Sequence, residues 1–250
     1  ENFTYRNADH IITITDDMKV NIMKKGVPEE KITVVRNWID TDKVKHVERR
    51  KNRLFDDLNL SRNKFYVVYA GNLGKVQGVD ILVKAAGLLK ENEDIHVVIF
   101  GNGSEEEHLK QRISEMKLQN ISLFPLQTIE RVSEVYSMAD ACVISCKPGT
   151  GGSGMPSKTW TIMAAGVPII ASFDSSSEME RTIRDANCGV CAEAGNAEAL
   201  SKCIVYLYQN KQLEEMFGSN ARQYAETNVS KSKAVAMYLQ VIETIVDKEK

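Results

Sequence analysis

Lys147 to Ser172 reads KPGTGGSGMPSKTWTIMAAGVPIIAS, and the strand, loop and helix signals inside it decide the fold class. The apolar run Ala141-Cys142-Val143-Ile144-Ser145-Cys146 leads into it with the continuous hydrophobicity of a buried strand. Four glycines in six residues follow (Gly149, Gly151, Gly152, Gly154); they let backbone pass close to a ligand and take positive φ at little cost. Pro156 and Ser157 mark a helix start, proline because it fits the first turn and serine because it can cap. Gly166 and Pro168 end that helix, and Val167 to Ala171 opens another strand. A glycine loop feeding a helix N-terminus offers free N–H groups and a positive dipole end to a phosphate or carboxylate, and Lys158 adds a mobile cation. Gly152 to Thr159 also comes near a nucleotide-triphosphatase P-loop, but Ser157 stands where that motif requires glycine.

Working outward, the same alternation fills the chain from Lys64 onward. Strand Phe65 to Ala70 passes Gly71-Asn72-Leu73-Gly74 into a helix over Val79 to Lys90. Strand Ile95 to Phe100 passes Gly101-Asn102-Gly103 into a helix over Glu105 to Met116, and strand Ile121 to Phe124 passes Pro125 into a helix over Ile129 to Met138. After the central stretch come a strand over Ile169 to Ser172, a helix over Ser177 to Arg184, and a short strand over Gly189 to Ala192. Helices over Ala197 to Gln209, Gln212 to Glu226 and Lys231 to Asp247 close the chain. Near-continuous apolar strands alternating with helices predict a Rossmann-like α/β fold, a doubly wound parallel sheet covered on both faces. Ligands of such sheets lie at the carboxyl ends of the strands, where the three glycine loops fall. Before Lys64 the pattern is shorter: a strand over Ala8 to Thr15, a helix over Asp16 to Lys25, a strand over Ile32 to Val35, then a charged stretch from Thr41 to Arg62. The chain opens at Glu1 inside what reads as an ongoing fold, so a further N-terminal portion is expected.

Composition narrows the function classes. At 250 residues, 43% apolar and 26% charged, the chain is an ordinary globular sequence with ample length for a core. A net charge of −2 argues against a nucleic-acid partner. No apolar run approaches a membrane span, which leaves peripheral membrane association open. Five cysteines, an odd number, point to a reducing compartment rather than a disulfide framework. Cys188-Gly189-Val190-Cys191 has CxxC spacing, but no second pair and no paired histidine accompanies it, so a structural role on a short strand is expected.

The loops and their spacing resemble the C-terminal half of a family 4 glycosyltransferase with the GT-B fold. Tyr69-Ala70-Gly71-Asn72-Leu73-Gly74 with Gln77-Gly78 looks like the first loop of the donor-binding domain, and Phe100-Gly101-Asn102-Gly103 with Leu109 like the second. Pro156-Ser157-Lys158 followed by Ile162 to Ala171 looks like the signature helix and next strand, and Ala194 to Leu200 like a later helix entry. Ala8 to Ile12, Gly26-Val27-Pro28, Lys31 to Val34 and Asn37 look like the end of the N-terminal domain. The resemblance implies four parts: residues 1–45 ending the N-terminal, acceptor-side domain; a linker over 46–63; a nucleotide-sugar donor-binding domain over 64–229; and a helix over 230–250 crossing back. The sequence is most similar to transferases of the N-acetylfucosamine type that build bacterial capsule, O-antigen and other exopolysaccharides.

The family implies retaining transfer from a nucleotide diphosphate sugar, UDP favoured, to a glycan or lipid-linked acceptor, with no cofactor and no obligatory metal. It also implies a cytoplasmic protein, working at the inner face of the membrane, whose missing N-terminal domain carries most acceptor contacts. Lys75 and Lys158 are the catalytic candidates, because cations stabilise charge growing on the leaving diphosphate. Donor contacts are expected from Gly71, Asn72, Leu73, Gly74, Gly101, Gly103, Pro125, Leu126, Gly152, Ser153, Gly154, Met155, Ser157, Thr161 and Glu178. Lys75 is otherwise a solvated loop lysine, Lys158 a helix-surface lysine, Thr161 a packing residue and Glu178 a helix cap. Many relatives carry glutamates at the positions of Ser153 and Thr161, and Arg and Lys at those of Asn72 and Gln77. A sugar-nucleotide epimerase of the same fold and a catalytically inactive nucleotide-binding scaffold remain as alternative classes, whereas a dehydrogenase is disfavoured because Gly71-x-x-Gly74 lacks the tight GxGxxG.

Overall fold

A computed structural model describes residues 2–248. The N-terminal segment holds α1 (Asn2–Asn7), β1 (Ile11–Thr13), α2 (Asp16–Lys24) and β2 (Ile32–Val34), with β1 and β2 paired in parallel. The first strand is shorter than expected because Thr15 leaves it to cap α2, its side chain accepting the Met18 amide at 3.1 Å. The charged stretch carries α3 (Leu54–Asp57) and lies docked on the main domain. Leu54 and Phe55 are buried, and the Arg49 guanidinium reaches the Lys64 carbonyl at 2.8 Å and Asp140 at 2.6 Å.

The main domain alternates strictly: β3 (Phe65–Ala70), α4 (Asp80–Leu88), β4 (Ile95–Phe100), α5 (Glu106–Glu115), β5 (Ile121–Phe124), α6 (Val132–Ser137), β6 (Ala141–Ser145), α7 (Lys158–Ala164), β7 (Ile169–Phe173), α8 (Glu178–Asp185) and β8 (Gly189–Glu193). Helices α9 (Ala197–Gln209), α10 (Lys211–Asn228) and α11 (Lys231–Lys248) follow. The helix expected over Ile129 to Met138 divides into a 3-10 turn, Ile129–Arg131, and α6. All six strands of the sheet are parallel, in the order β5-β4-β3-β6-β7-β8.

Alternate residues of each strand feed opposite cores, as period-two pleating requires. Tyr66, Val68, Cys142 and Ile144 pack with Trp160, Met179 and Ala221 on one face. Phe65, Val67, Val143 and Ile170 pack with Leu82, Leu109 and Ile204 on the other. The strand order reverses between β3 and β6, which pair only through Val67↔Ala141 and Val68↔Cys142. Beyond that pairing the carboxyl ends open a crevice, where such sheets hold their ligands.

The loops at this edge are interlocked. Gly71 donates to the Phe100 carbonyl at 2.9 Å, Leu73 to the Asn102 carbonyl at 2.9 Å, and Glu105 to the Leu73 carbonyl at 2.9 Å. Asn102 Oδ1 extends the chain by accepting the Leu126 amide at 2.9 Å. A Cβ on Gly101 would run into the Gly71 carbonyl oxygen and the Leu73 side chain, and one on Gly103 would lie 2.5 Å from the Leu73 carbonyl oxygen. These two glycines, expected to approach a donor, are required by loop-on-loop packing. Gly101→Ala is expected to lower stability by roughly 1–3 kcal/mol, the usual cost of overpacking, as read by denaturant unfolding.

Candidate functional site

The crevice holds two clefts divided by one lysine. The first, of about 520 Å³, is lined by Gly71, Asn72, Phe100, Leu126 to Ile129, Tyr136, Ser157, Lys158 and Thr161. The second, of about 320 Å³, is lined by Ile14, Asn72, Val76, Cys146, Gly154, Met155, Lys158 and Phe173. Asn72 and Lys158 belong to both.

Lys158 opens α7, which puts its side chain across the mouth of the gap between β3 and β6. Its Nζ stands 3.9 Å from the centroid of the Tyr69 ring, a cation over an aromatic face. Tyr69 is itself fixed by donating its hydroxyl to the Asn72 carbonyl at 2.7 Å. Gly71 is the residue that makes room: its φ is +145°, and a Cβ there would lie 2.6 Å from the ammonium. Burial pushes the Lys158 ammonium down to about 8, so the group is charged at neutral pH but poorly solvated. It is held in place, not the mobile cation expected. A partly desolvated cation over a ring is a strong site for a phosphate oxygen.

The central glycine loop departs from expectation in another way. Gly149 and Gly154 take positive φ, +82° and +130°, while Gly151 to Ser153 form a 3-10 turn. The amides of Gly149 and Gly151 are not free: Asp174 accepts both in fork fashion, Oδ1 at 2.9 Å and Oδ2 at 2.8 Å. An internal carboxylate thus ties down the first part of the loop, ahead of the Gly152 to Met155 stretch from which donor contacts are expected. Ser157 does not cap α7; it has helical φ and ψ, makes no capping bond, and lines the first cleft instead.

The other candidates divide clearly. Gly71, Asn72, Leu126, Ser157, Lys158 and Thr161 meet at the first cleft, and Gly154 and Met155 at the second. Lys75 is exposed on a 3-10 turn and lines neither cleft; the N-terminus of α4 that follows lines neither, and Val79 there is buried. Leu73 is buried under its loop, and a Cβ on Gly74 would press on Gln77, so both serve the loop. Pro125 lines neither cleft, and its carbonyl accepts the Gln127 side chain at 3.0 Å. Gly152 is exposed with open space around it, and the Ser153 side chain lies outside the described residues. Glu178 turns away from both clefts to the N-terminal segment, 3.6 Å from Arg36. Burial raises its carboxyl above the usual range, against the pull of the Asp17 amide and Arg36.

Sequence reading missed Tyr69, Tyr136 and Asp174. Tyr69 stood in the sequence as a strand end leading the first glycine loop, with nothing to mark its ring as a partner for Lys158, and Asp174 stood unremarked after the strand over Ile169 to Ser172. Cys188 is buried and Cys191 exposed, all five cysteines are free thiols, and among the described residues no His, Cys, Asp or Glu cluster is arranged to hold a metal.

A doubly wound parallel sheet with a split crevice and a half-buried cation at its switch point defines an α/β domain of the class that takes its ligands at the carboxyl edge. Residues 50–224 match the model of the glycosyl transferases group 1 family, and residues 1–43 that of glycosyltransferase family 4. The chain belongs to the glycosyl transferases group 1 family. It is 27% identical over 238 residues to the Escherichia coli K12 protein WcaI, named as a glycosyl transferase of colanic acid biosynthesis, covering 94% of this chain and 57% of that one. It is 25% identical over 202 residues to WbjE of Pseudomonas aeruginosa, named as a glycosyltransferase, covering 81% of this chain and 50% of that one. The match spans about half the length of these relatives. Its fold is shared by a Rickettsia africae glycosyltransferase (TM-score 0.84, 18% identity, covering 98% of this chain and 66% of that one). It is shared equally by Anabaena Alr3699/HepE solved in complex with UDP (TM-score 0.83, 18% identity, covering 98% and 66%). Among the described residues no helix is long and apolar enough to cross a membrane.

Proposed function

We propose that this chain is the donor-binding portion of a retaining glycosyltransferase, moving a sugar from a UDP-sugar to a glycan or lipid-linked acceptor in bacterial surface polysaccharide synthesis. One observation carries the reading: the Lys158 ammonium stands over Tyr69 exactly where the two clefts meet. The larger cleft suits a nucleoside and the smaller a sugar, so a diphosphate joining them lies against this cation. As the bond from the anomeric carbon to phosphate breaks, the electron pair passes to the leaving oxygen, and Lys158 stabilises the charge that grows there. The Gly71 to Asn72 backbone, Ser157 and Thr161 hold the nucleotide side, Leu126 edges the base, and Gly154 and Met155 border the sugar. The cation is supplied by the chain, so no metal is required.

The sugar is proposed to be of the N-acetylfucosamine type, because Ile14, Val76, Met155 and Phe173 give the second cleft apolar walls suited to methyl and acetyl groups. The protein would work in the cytoplasm, at the inner face of the membrane where lipid-linked acceptors are held. UDP-bound Alr3699/HepE, similar in fold, supports the choice of nucleotide.

Calorimetric titration with UDP, GDP and ADP, each with and without a chelator, tests the reading. UDP is expected to bind most tightly and independently of chelator; no heat with any nucleotide would overturn it. Turnover that depends on an acceptor separates transfer from epimerisation, which would change the sugar nucleotide alone. Lys75→Ala is expected to alter UDP affinity less than about twofold, since an exposed lysine lining neither cleft is screened by water and salt.

A further inference from the structure

The N-terminal segment meets the main domain beside the glycine loop, and the seam is ionic. Met18, in the first turn of α2, lies so that its Cε would be 3.5 Å from a Cβ on Gly154, and Ile14 forms part of the second cleft's wall. The width of that cleft therefore depends on where α2 sits. Five charged side chains face one another across the seam: Asp16, Asp17 and Arg36 from the N-terminal segment, Glu178 and Arg181 from the first turn of α8.

The pairing is reciprocal in sign. Arg181 Nη2 donates to Asp17 Oδ1 at 2.5 Å. Glu178 Oε2 accepts the Asp17 amide at 3.4 Å while its Oε1 lies 3.6 Å from Arg36, which also pairs with Asp16. Glu178 is only 8% exposed, and a carboxylate is buried at a cost unless a specific partner meets it. Neither of its expected duties accounts for that burial. Ser177 already caps α8 by accepting the Glu180 amide at 3.3 Å, and Glu178 lines neither cleft.

We propose that Glu178 and Arg181 are positioning residues, a two-way ionic latch that closes on Asp17 and Arg36 and so sets the second cleft's width. The latch itself stands on the seam geometry; only its effect on turnover rests on the transferase reading.

The test is a charge swap in the full-length protein: Arg181→Asp, Asp17→Arg and the two together, with Glu178→Gln as the shape-preserving companion. Hydrogen exchange over residues 14–20, measured by mass spectrometry without ligand, is expected to quicken about threefold to tenfold in each single variant. It should return most of the way to wild type in the double swap. The turnover number should follow the same pattern while UDP affinity stays within about twofold, because the first cleft is untouched. Where Arg181→Asp fails to fold, Glu178→Gln carries the same expectation. Unchanged exchange in the variants that fold, or a double swap that recovers nothing, overturns the latch. Exchange that responds as expected in a protein whose wild type transfers no sugar leaves the latch standing and removes the transferase reading.

Discussion

Lys158→Ala is expected to weaken UDP binding about 10- to 100-fold while leaving the uncharged nucleoside uridine almost unaffected. A hydrogen bond to a charged group contributes roughly 1.5–3 kcal/mol, and a tenfold change in affinity corresponds to about 1.4 kcal/mol. The ratio of the two titrations isolates the diphosphate contact from any general loss of fold. Equal weakening of both ligands would show that Lys158 only props the cleft. Because burial holds the ammonium at about 8, the empty site loses its charge as pH rises past that value. UDP affinity should therefore fall between roughly pH 7 and 9 in the wild type, and this fall should be absent from the alanine variant.

Stability runs the opposite way. The folded lysine sits below its ordinary value of 10.5, so between about 8 and 10.5 the unfolded chain holds more protons, and folding becomes more favourable as pH climbs through that window. Below it the burial penalty is present in full. Lys158→Met, apolar and similar in length, is accordingly expected to raise the unfolding midpoint at neutral pH while losing UDP affinity. A binding residue and a folding residue would not part in this way.

Asp174→Ala is expected to weaken binding of a UDP-sugar at least about tenfold while leaving UDP alone within about threefold. The carboxylate is the anchor of the glycine loop, holding the Gly149 and Gly151 amides at 2.9 and 2.8 Å. Two charge-assisted bonds lost from a segment rich in glycine release a large conformational freedom, and the loss is expected to be felt at the second cleft, which Thr150, Gly154 and Met155 line and which is proposed for the sugar. Asp174→Asn keeps the shape and one acceptor oxygen, so an intermediate effect is expected. Limited proteolysis supplies the second readout, with cleavage near residues 148–154 rising in the alanine variant. Equal loss for UDP and UDP-sugar would mean that Asp174 supports the whole crevice.

The layout of the sheet was legible because its strands are unbroken apolar runs bounded by glycine, proline or charge. Phe65 to Ala70 and Ile95 to Phe100 are the clearest cases, and each became a strand with the bounds read for it. What periodicity cannot supply is direction. Lys75 and Lys158 look alike as lysines in or after glycine loops, yet one points to water and the other lies over Tyr69. Glycine carries a second ambiguity, since a missing Cβ serves a ligand and a neighbouring loop equally well. Gly71 clears space for an ammonium, whereas Gly101 and Gly103 clear it for Gly71 and Leu73. Asp174 was hidden for a third reason: its partners are backbone amides 25 and 23 residues earlier, which no local pattern encodes. Glu178 was hidden in the same way, its amide partner at Asp17 lying 161 residues off.

The rail of hydrogen bonds from Glu105 through Leu73 and Asn102 to Leu126 divides the entropy of binding unevenly. The first cleft, proposed for the nucleoside, is built on backbone already committed to one conformation, so a ligand entering it spends little on ordering the protein. The second cleft, proposed for the sugar, borrows Ile14 from the segment leading into α2. On the proposed reading, most of the ordering cost falls on the part of the donor that is transferred. On the proposed reading, the nucleotide left behind keeps most of the favourable contacts, so inhibition by UDP in competition with fresh donor is the expected result.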